Sequence, residues 1–309
     1  MTLTIIIISY NTKELTIECI ESIYAQESKI HFNIIILDNN SVDGSADAIF
    51  EKFPEIKLIR SNDNVGFAPG NNICAKQVKS EYMLLLNPDT VVLDNAIDKL
   101  MQFAEQFPQA GIWGGKTLYD ANTLNPTSCW RKMTLWNLFC RTTGLTGIFP
   151  RSSLFNSEAY GDWDRNSIKE VDIVTGCFFL LKTDLWNELG GFDPQFFMYG
   201  EEADLCLRAS RIGYQPMVTN DAAIIHYGGK SETEEADKLI KLLKGKVQLL
   251  RSHWGTYKLP IGLLLIAGWP LVRTLLFRCV SIFSPRYKPK FEMWNKVWLA
   301  KAEWLKGYE

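Results

Sequence analysis

An amide, a proline and a carboxylate, Asn87-Pro88-Asp89, end the five-residue apolar run Tyr82–Leu86. The run reads as a fully buried strand. A carboxylate released at the C-terminal end of such a strand stands where open α/β sheets place ligand chemistry. The same three residues are ordinary turn formers, so alone they read equally as a turn or as a site. Asp89 is the ligand type that Mg2+ and Mn2+ select, because these hard ions take carboxylate oxygens and leave positions open for substrate phosphates. His226 ends the short apolar segment Ala222–His226, followed by the turn Tyr227-Gly228-Gly229. Its imidazole could complete the coordination, although a histidine at a strand end more often serves as a hydrogen-bonded structural group.

A second acidic group, Glu201-Glu202-Ala203-Asp204, opens a helix. Carboxylates in a first turn are stabilised by the helix dipole, which is reason enough for them to be there. The catalytic reading needs one of them to face a crevice as a general base. The preceding Phe196-Phe197-Met198-Tyr199-Gly200 would supply apolar surroundings that raise a carboxylate towards a useful pKa. Ser9-Tyr10-Asn11 and Asp38 also follow apolar runs. Asp38 accepts hydrogen bonds only and could take the N3–H of a pyrimidine, or it could merely cap the turn Asn39-Asn40-Ser41. The stretch Asn64–Asn72, with Gly66, Gly70 and Asn71, would let backbone approach a ligand closely, or would simply connect two elements.

These groups need a scaffold that brings strand ends together. Residues 3–8, 32–37, 56–59 and 82–86 are short apolar runs separated by amphipathic segments. Asn11 with Glu14 predicts a helix cap, Asp43 to Ser45 open a helix through Phe53, and Asp94 opens another with Ile97, Leu100, Met101, Ala104 and Phe107 inward. Residues 62–72 read as a loop. This alternation predicts an α/β fold with a largely parallel sheet flanked by helices, whose strand ends converge on one crevice. Residues 114–170, rich in Gly, Pro, Ser, Thr and Trp, read as loops and hairpins. Residues 171–181 read as a strand interrupted at Gly176, 217–219 and 222–226 as two short strands, and the chain turns helical from Glu232.

The 309 residues suffice for one large α/β domain, 1–230, and a C-terminal helical region, 231–309. A net charge of −2 gives no bulk electrostatic reason to bind nucleic acid. Seven dispersed cysteines without a CxxC pair, and no basic n-region before the apolar N-terminal run, predict reduced thiols and a cytoplasmic location. No GxGxxG follows the first strand and no GxxxxGK[ST] occurs, which disfavours a dinucleotide dehydrogenase and a P-loop phosphotransferase. Residues 259–272 are uncharged and apolar but shorter than the roughly 20 residues of a spanning helix. With five tryptophans beyond residue 250 and basic residues nearby, they predict peripheral membrane contact at the inner face. A buried core helix or a homodimer face is the competing reading.

In order along the chain, the IIISYN strand, Asp38 with DNNSVDGS, NxGFAxGNN, LLLNPD, GFD-to-YGEEADLCLR and His226 together resemble the inverting family 2 glycosyltransferases of GT-A fold. The resemblance covers about residues 3–228 and is greatest to the rhamnosyltransferase-like branch that builds bacterial surface polysaccharides. It implies that Ser9, Tyr10, Asn11 and Asp38 hold the base and ribose of a dTDP- or UDP-sugar, and that Asn64, Gly66 and Asn71 help bind the nucleotide sugar. Asn87 and Asp89 would stand in the DxD position, here with one carboxylate, and Asp89 and His226 would hold Mg2+ or Mn2+. Glu202, preceded by Glu201, would be the base, and the acceptor would be a saccharide or a lipid-linked saccharide. A sugar nucleotidyltransferase should carry a basic, Gly-rich phosphate loop where this chain has Ser9-Tyr10-Asn11-Thr12. A non-catalytic sugar-nucleotide scaffold would need neither Glu202 nor His226.

Overall fold

The computed structural model describes residues 2–228 and 235–308. Its strands are β1 (Thr2–Ser9), β2 (His31–Asp38), β3 (Lys57–Arg60), β4 (Tyr82–Leu86), β5 (Thr90–Val92), β6 (Ile112–Leu118), β7 (Leu124–Asn125), β8 (Cys129–Trp130), β9 (Lys169–Glu170), β10 (Ile173–Val174), β11 (Phe178–Lys182) and β12 (Met217–His226). Its helices are α1 (Lys13–Tyr24), α2 (Ser45–Lys52), α3 (Phe67–Ala75), α4 (Ala96–Gln106), α5 (Leu135–Thr143), α6 (Leu145–Ile148), α7 (Thr183–Leu189), α8 (Glu201–Arg211), α9 (Glu235–His253), α10 (Leu259–Phe283), α11 (Lys288–Leu299) and α12 (Lys301–Trp304). The expected helical start at Glu232 and the turn residue Gly229 lie outside the described residues.

The chain forms two compact units that interleave in sequence. One comprises residues 1–130, 164–197 and 202–231, and the other 131–163, 198–201 and 232–309. The helical unit therefore takes in residues 131–163 and a four-residue piece just before Glu202, besides the C-terminal stretch.

The first unit is built on one sheet of order β3-β2-β1-β4-β11-β6-β12-β5, with β7 beside β6 and β9 beside β12. β3, β2, β1 and β4 run parallel. β11 then inserts antiparallel between β4 and β6, so the sheet is mixed rather than parallel throughout. β1 is buried from Leu3 to Ser9 and all of β4 is buried, as continuous apolar runs covered on both faces must be. Ile5, Ile7, Ile36, Leu84 and Leu86 pack with Ile20 and Ile23 of α1 and Leu100 and Ala104 of α4 in the core. The α4 stripe is as expected, but the helix starts at Ala96, after Asp94 and Asn95, which both have positive φ.

Several local expectations changed in three dimensions. The stretch read as a loop over 62–72 becomes α3 from Phe67 onwards, because its Asn and Gly residues serve its N-terminus and packing rather than a free connection. Asn11 does not cap α1. It adopts φ +51°, a region asparagine tolerates, and its Oδ1 accepts the Val42 N–H at 2.8 Å. The strand interrupted at Gly176 divides into β10, which pairs with β8 in a separate two-stranded sheet, and β11 in the main sheet. The two short strands near the C-terminal end of this unit are one strand, β12, with a register shift between Val218 and Ala223.

In the helical unit, α5 carries a capping box of Thr134 with Asn137, a helix start hidden by Asn standing where Glu or Gln is usual. Glu158 is buried among partners. Arg141 Nη2 donates to it at 2.8 Å and Lys246 Nζ at 2.5 Å. The apolar run read as sub-spanning continues through Pro270 into the 25-residue α10, long and apolar enough by length and composition to cross a membrane.

Candidate active site

The parallel strands deliver Ser9, Asp38 and Leu86 at one edge of the sheet, so the loops after β1, β2 and β4 lie side by side. The Ser9 hydroxyl is fully buried and bonded to Thr12 Oγ1 at 3.2 Å and Thr16 Oγ1 at 3.1 Å. These bonds hold the corner from which the half-exposed Tyr10 projects. Asn11 N–H donates to Ser41 Oγ and Lys13 N–H to Asp43 Oδ2, which ties the first two loops together. Asp38 is buried. Its Oδ2 accepts the Ser41 N–H at 3.1 Å, while Oδ1 has no hydrogen-bond partner among the described residues. The turn-capping role and an open acceptor oxygen thus coexist in one carboxylate.

Asn39 was not singled out in the sequence, yet it organises the next loop. Its Nδ2 donates to Asn64 Oδ1 at 2.9 Å and its Oδ1 accepts the Val65 N–H at 2.8 Å. Asn64 Oδ1 also takes the Gly66 N–H. Gly66 has φ +88°, and a Cβ there would stand 2.6 Å from the Phe197 carbonyl oxygen, so only glycine fits. Asn71 is buried with its Nδ2 on the Phe67 carbonyl, inside its own helix. The neighbouring Asn72 instead reaches the Phe192 backbone through both its amide groups. The signal for Asn39 was present in the DNN triplet, but asparagine is too common in turns to stand out.

At the end of β4, Asn87 N–H donates to the Cys177 carbonyl and Thr90 Oγ1 donates to the Asn87 carbonyl. β12 pairs with β5 so that His226 lies opposite Thr90. His226 Nε2 is then 3.4 Å from Asp89 Oδ1 and 3.4 Å from Asn87 Nδ2. Burial opposes ionisation of Asp89, but His226 and the Gly228 backbone outweigh it and hold the carboxyl below its ordinary value. Burial favours the neutral imidazole, yet Cys177 and Asp89 beside it push His226 up to about 10. Asn87 Oδ1 and His226 Nδ1 are buried without a hydrogen-bond partner among the described residues. No cluster of three or more His, Cys, Asp or Glu side chains that could hold a metal occurs among them either. One carboxylate, one imidazole and an unsatisfied amide oxygen fit a divalent ion only as a partial set, with room left for phosphate oxygens.

Residue 177, whose carbonyl holds Asn87, follows Gly176. A Cβ on Gly176 would lie 3.6 Å from Phe67 and 3.8 Å from the Glu202 Cβ. Glu202 and Phe67 therefore both pack beside Gly176. Among the three acids at the start of α8, Glu201 is buried and Glu202 half-buried. Asp204 is buried with Oδ2 2.7 Å from Arg208, whose guanidinium also caps the Leu189 and Gly191 carbonyls. Glu202 is the most accessible of the three, and Asp204 has structural work. Asp38 and the Asn87–Asp89 loop both follow parallel strands that end at the same side of the sheet.

Among known proteins, a sequence profile described as glycosyl transferase family 2 matches residues 4–182. The O-antigen biosynthesis protein RfbC of Myxococcus xanthus is 26% identical over 227 residues, 70% of this chain but only 16% of that protein. The N-acetylglucosaminyl-diphospho-decaprenol L-rhamnosyltransferase of Mycobacterium tuberculosis is 23% identical over 274 residues, which is 84% of this chain and 87% of that one. A mannosyltransferase of Pyrobaculum calidifontis, solved with GDP-Man and Mn2+, superposes with a TM-score of 0.57 at 16% identity, over 98% of this chain and 86% of that one. This likeness shows the fold, GT-A with C-terminal helices. The profile covers more than half of the sequence, and the chain belongs to glycosyl transferase family 2.

Proposed function

We propose that this protein is an inverting, metal-dependent glycosyltransferase of cell-surface polysaccharide synthesis. It moves a sugar, rhamnose from a dTDP-sugar or a sugar from a UDP donor, onto a saccharide or lipid-linked acceptor. It works in the cytoplasm, peripheral at the inner face of the membrane. The observation that carries the reading is the meeting of Asp89, His226 and Asn87 at the sheet edge that also presents the open oxygen of Asp38. The rhamnosyltransferase named among the relatives supports rhamnose as the first sugar to test.

Asp38 Oδ1 would accept the pyrimidine N3–H, since it is buried and lacks another donor. The turn at Asn64–Gly66, packed closely on Phe197 through the missing Cβ of Gly66, would help hold the nucleotide sugar. Asp89 and His226, with Asn87, would hold Mg2+ or Mn2+, which supplies positive charge to the diphosphate as that group departs. Glu202 would take the acceptor hydroxyl's proton as its oxygen attacks the anomeric carbon. Attack comes from the face opposite the leaving diphosphate, so the configuration inverts without a covalent enzyme intermediate. The half-buried setting of Glu202, against the buried Glu201 and the Arg208-bound Asp204, favours it as the base.

A panel of nucleotide sugars, assayed for nucleoside diphosphate release with and without a lipid-linked acceptor, tests the reading. Glu202→Gln should keep donor affinity within about twofold and lower turnover at least about 10²-fold. Release of pyrophosphate would make the protein a nucleotidyltransferase, and binding without any turnover would make it a scaffold.

A further inference from the structure

Among the large apolar side chains that the fold leaves exposed, a long row lies on α10. Gly262, Ile266, Pro270 and Thr274, four residues apart, form the only buried stripe of this helix. The helix is fixed to its own unit along its length. A Cβ on Gly262 would meet Trp254 at 2.4 Å, Thr142 Oγ1 donates to the Leu265 carbonyl at 2.7 Å, and Arg273 donates to the Arg141 and Thr142 carbonyls at 2.7 Å each. At 100° per residue the opposite face carries Ile261, Leu264, Val272, Leu275, Ile282 and Phe283, which are 37–88% exposed. That face holds no charged residue. Its residues span about 33 Å at 1.5 Å per residue, and midway along it Thr142 of α5 packs on Gly268, where a Cβ would meet its Cγ2 at 2.9 Å.

The charge around it is mostly positive, with Lys288 paired to the exposed Glu292 at 3.9 Å. From Lys238 to Phe291 the sequence has eleven Lys and Arg residues and no Asp or Glu, in a chain of net charge −2. Arg278 borders the apolar face, and Arg286, Lys288 and Lys290 follow its C-terminal end, all exposed. An apolar stripe bordered by exposed cations complements an anionic lipid surface rather than water or another copy bearing the same charge.

We propose that α10 lies in the plane of an anionic bilayer interface, its exposed stripe in the acyl boundary and its buried stripe still on the protein. It rests on the peripheral placement proposed above and gives that placement its residues. Although α10 has the length and composition to span a bilayer, spanning would strip Arg273, Gly262 and Thr142 of the contacts just described.

The full-length protein, labelled at Cys279 with a polarity-sensitive thiol probe, can be floated with vesicles. Cys279 is the one exposed cysteine among the seven and lies on the stripe. The protein should float with phosphatidylcholine–phosphatidylglycerol vesicles but not with phosphatidylcholine alone, with a blue shift of the probe, loss in high salt and extraction by alkaline carbonate. The double variant Leu264→Glu, Leu275→Glu should lose flotation by about tenfold or more while keeping its circular dichroism and melting temperature. A variant at two other stripe positions, Val272→Ser with Ile282→Ser, should weaken flotation by a smaller factor. No association with anionic vesicles overturns the proposal. So does resistance to carbonate, which marks a spanning helix, or lipid-free dimerisation that protects Cys279. Sugar transfer to a soluble acceptor is measured in parallel. Transfer without vesicle binding overturns this inference alone, and vesicle binding without transfer overturns only the catalytic reading.

Discussion

His226 Nε2 stands 3.4 Å from Asp89 Oδ1 because β12 and β5 pair antiparallel with His226 opposite Thr90. The register is set upstream. On β12 the four residues Thr219–Ala222 lie opposite Gly115 alone, since Val218 pairs with Gly114 and Ala223 with Lys116. Three extra residues are an odd number, so the side-chain alternation flips and the remaining strand presents the face it would otherwise hide.

If this pair holds the ion, His226→Ala should weaken Mn2+ binding in the presence of nucleoside diphosphate by about tenfold or more, read by titration calorimetry. Asn87→Asp adds the second carboxylate of a complete DxD and should tighten Mn2+ binding. Unchanged affinity in both variants would remove the ion from this site.

Asn39 joins Asn64 and Val65 while buried, so Asn39→Ala leaves the Val65 N–H without its acceptor. The expected cost is about 1–3 kcal/mol of stability. Donor KM should rise with it, because the Asn64–Gly66 turn loses its brace. A melting curve together with donor kinetics checks both, and a stability loss with unchanged KM would confine Asn39 to folding.

Gly245 on α9 lies under Tyr199, three residues before Glu202. A Cβ there would approach the Tyr199 carbonyl oxygen to 2.1 Å. The Tyr308 hydroxyl also donates to the Met198 carbonyl. Gly245→Ala should therefore shift the segment that leads into Glu202. We expect kcat to fall about tenfold or more with donor KM little changed, since small misplacements of a reacting group carry large rate penalties. Steady-state kinetics at saturating donor decide it.

Glu158 is held down to about 2 against an ordinary 4.5. Its burial works the other way, but Arg141 and Lys246 outweigh it. The depressed value means stability that is fully present above about pH 4.5 and is lost as pH falls towards 2. The contribution is on the order of 3 kcal/mol at neutral pH. Glu158→Gln should lower the melting temperature at pH 7 and flatten the acid limb of the profile between pH 4.5 and 2. An unchanged acid limb would assign the loss to other carboxylates.

The strand ends were legible in the chain because β1, β2 and β4 are continuous apolar runs that stop at polar residues, and parallel neighbours must bring such ends to one edge. Asp38, Asp89, Glu202 and His226 stood out as candidates for the same reason: few residue types could do the proposed chemistry, and each sits at an element boundary. The roles within each cluster were not legible. Ser9 is bonded to Thr12 and Thr16 and Asp204 to Arg208, while Asn39 braces Asn64 and Val65, because residue type alone does not say which of several possible partners a side chain takes. The α10 helix shows the same division. Its apolar composition was plain, but its length through Pro270 depended on packing that outweighs a helix breaker. The sequence by itself determined the kind of sheet and the candidate groups, since burial pattern and residue chemistry are local. Only the tertiary structure decided which groups meet, because register, bulge and side-chain pairing depend on contacts between distant residues.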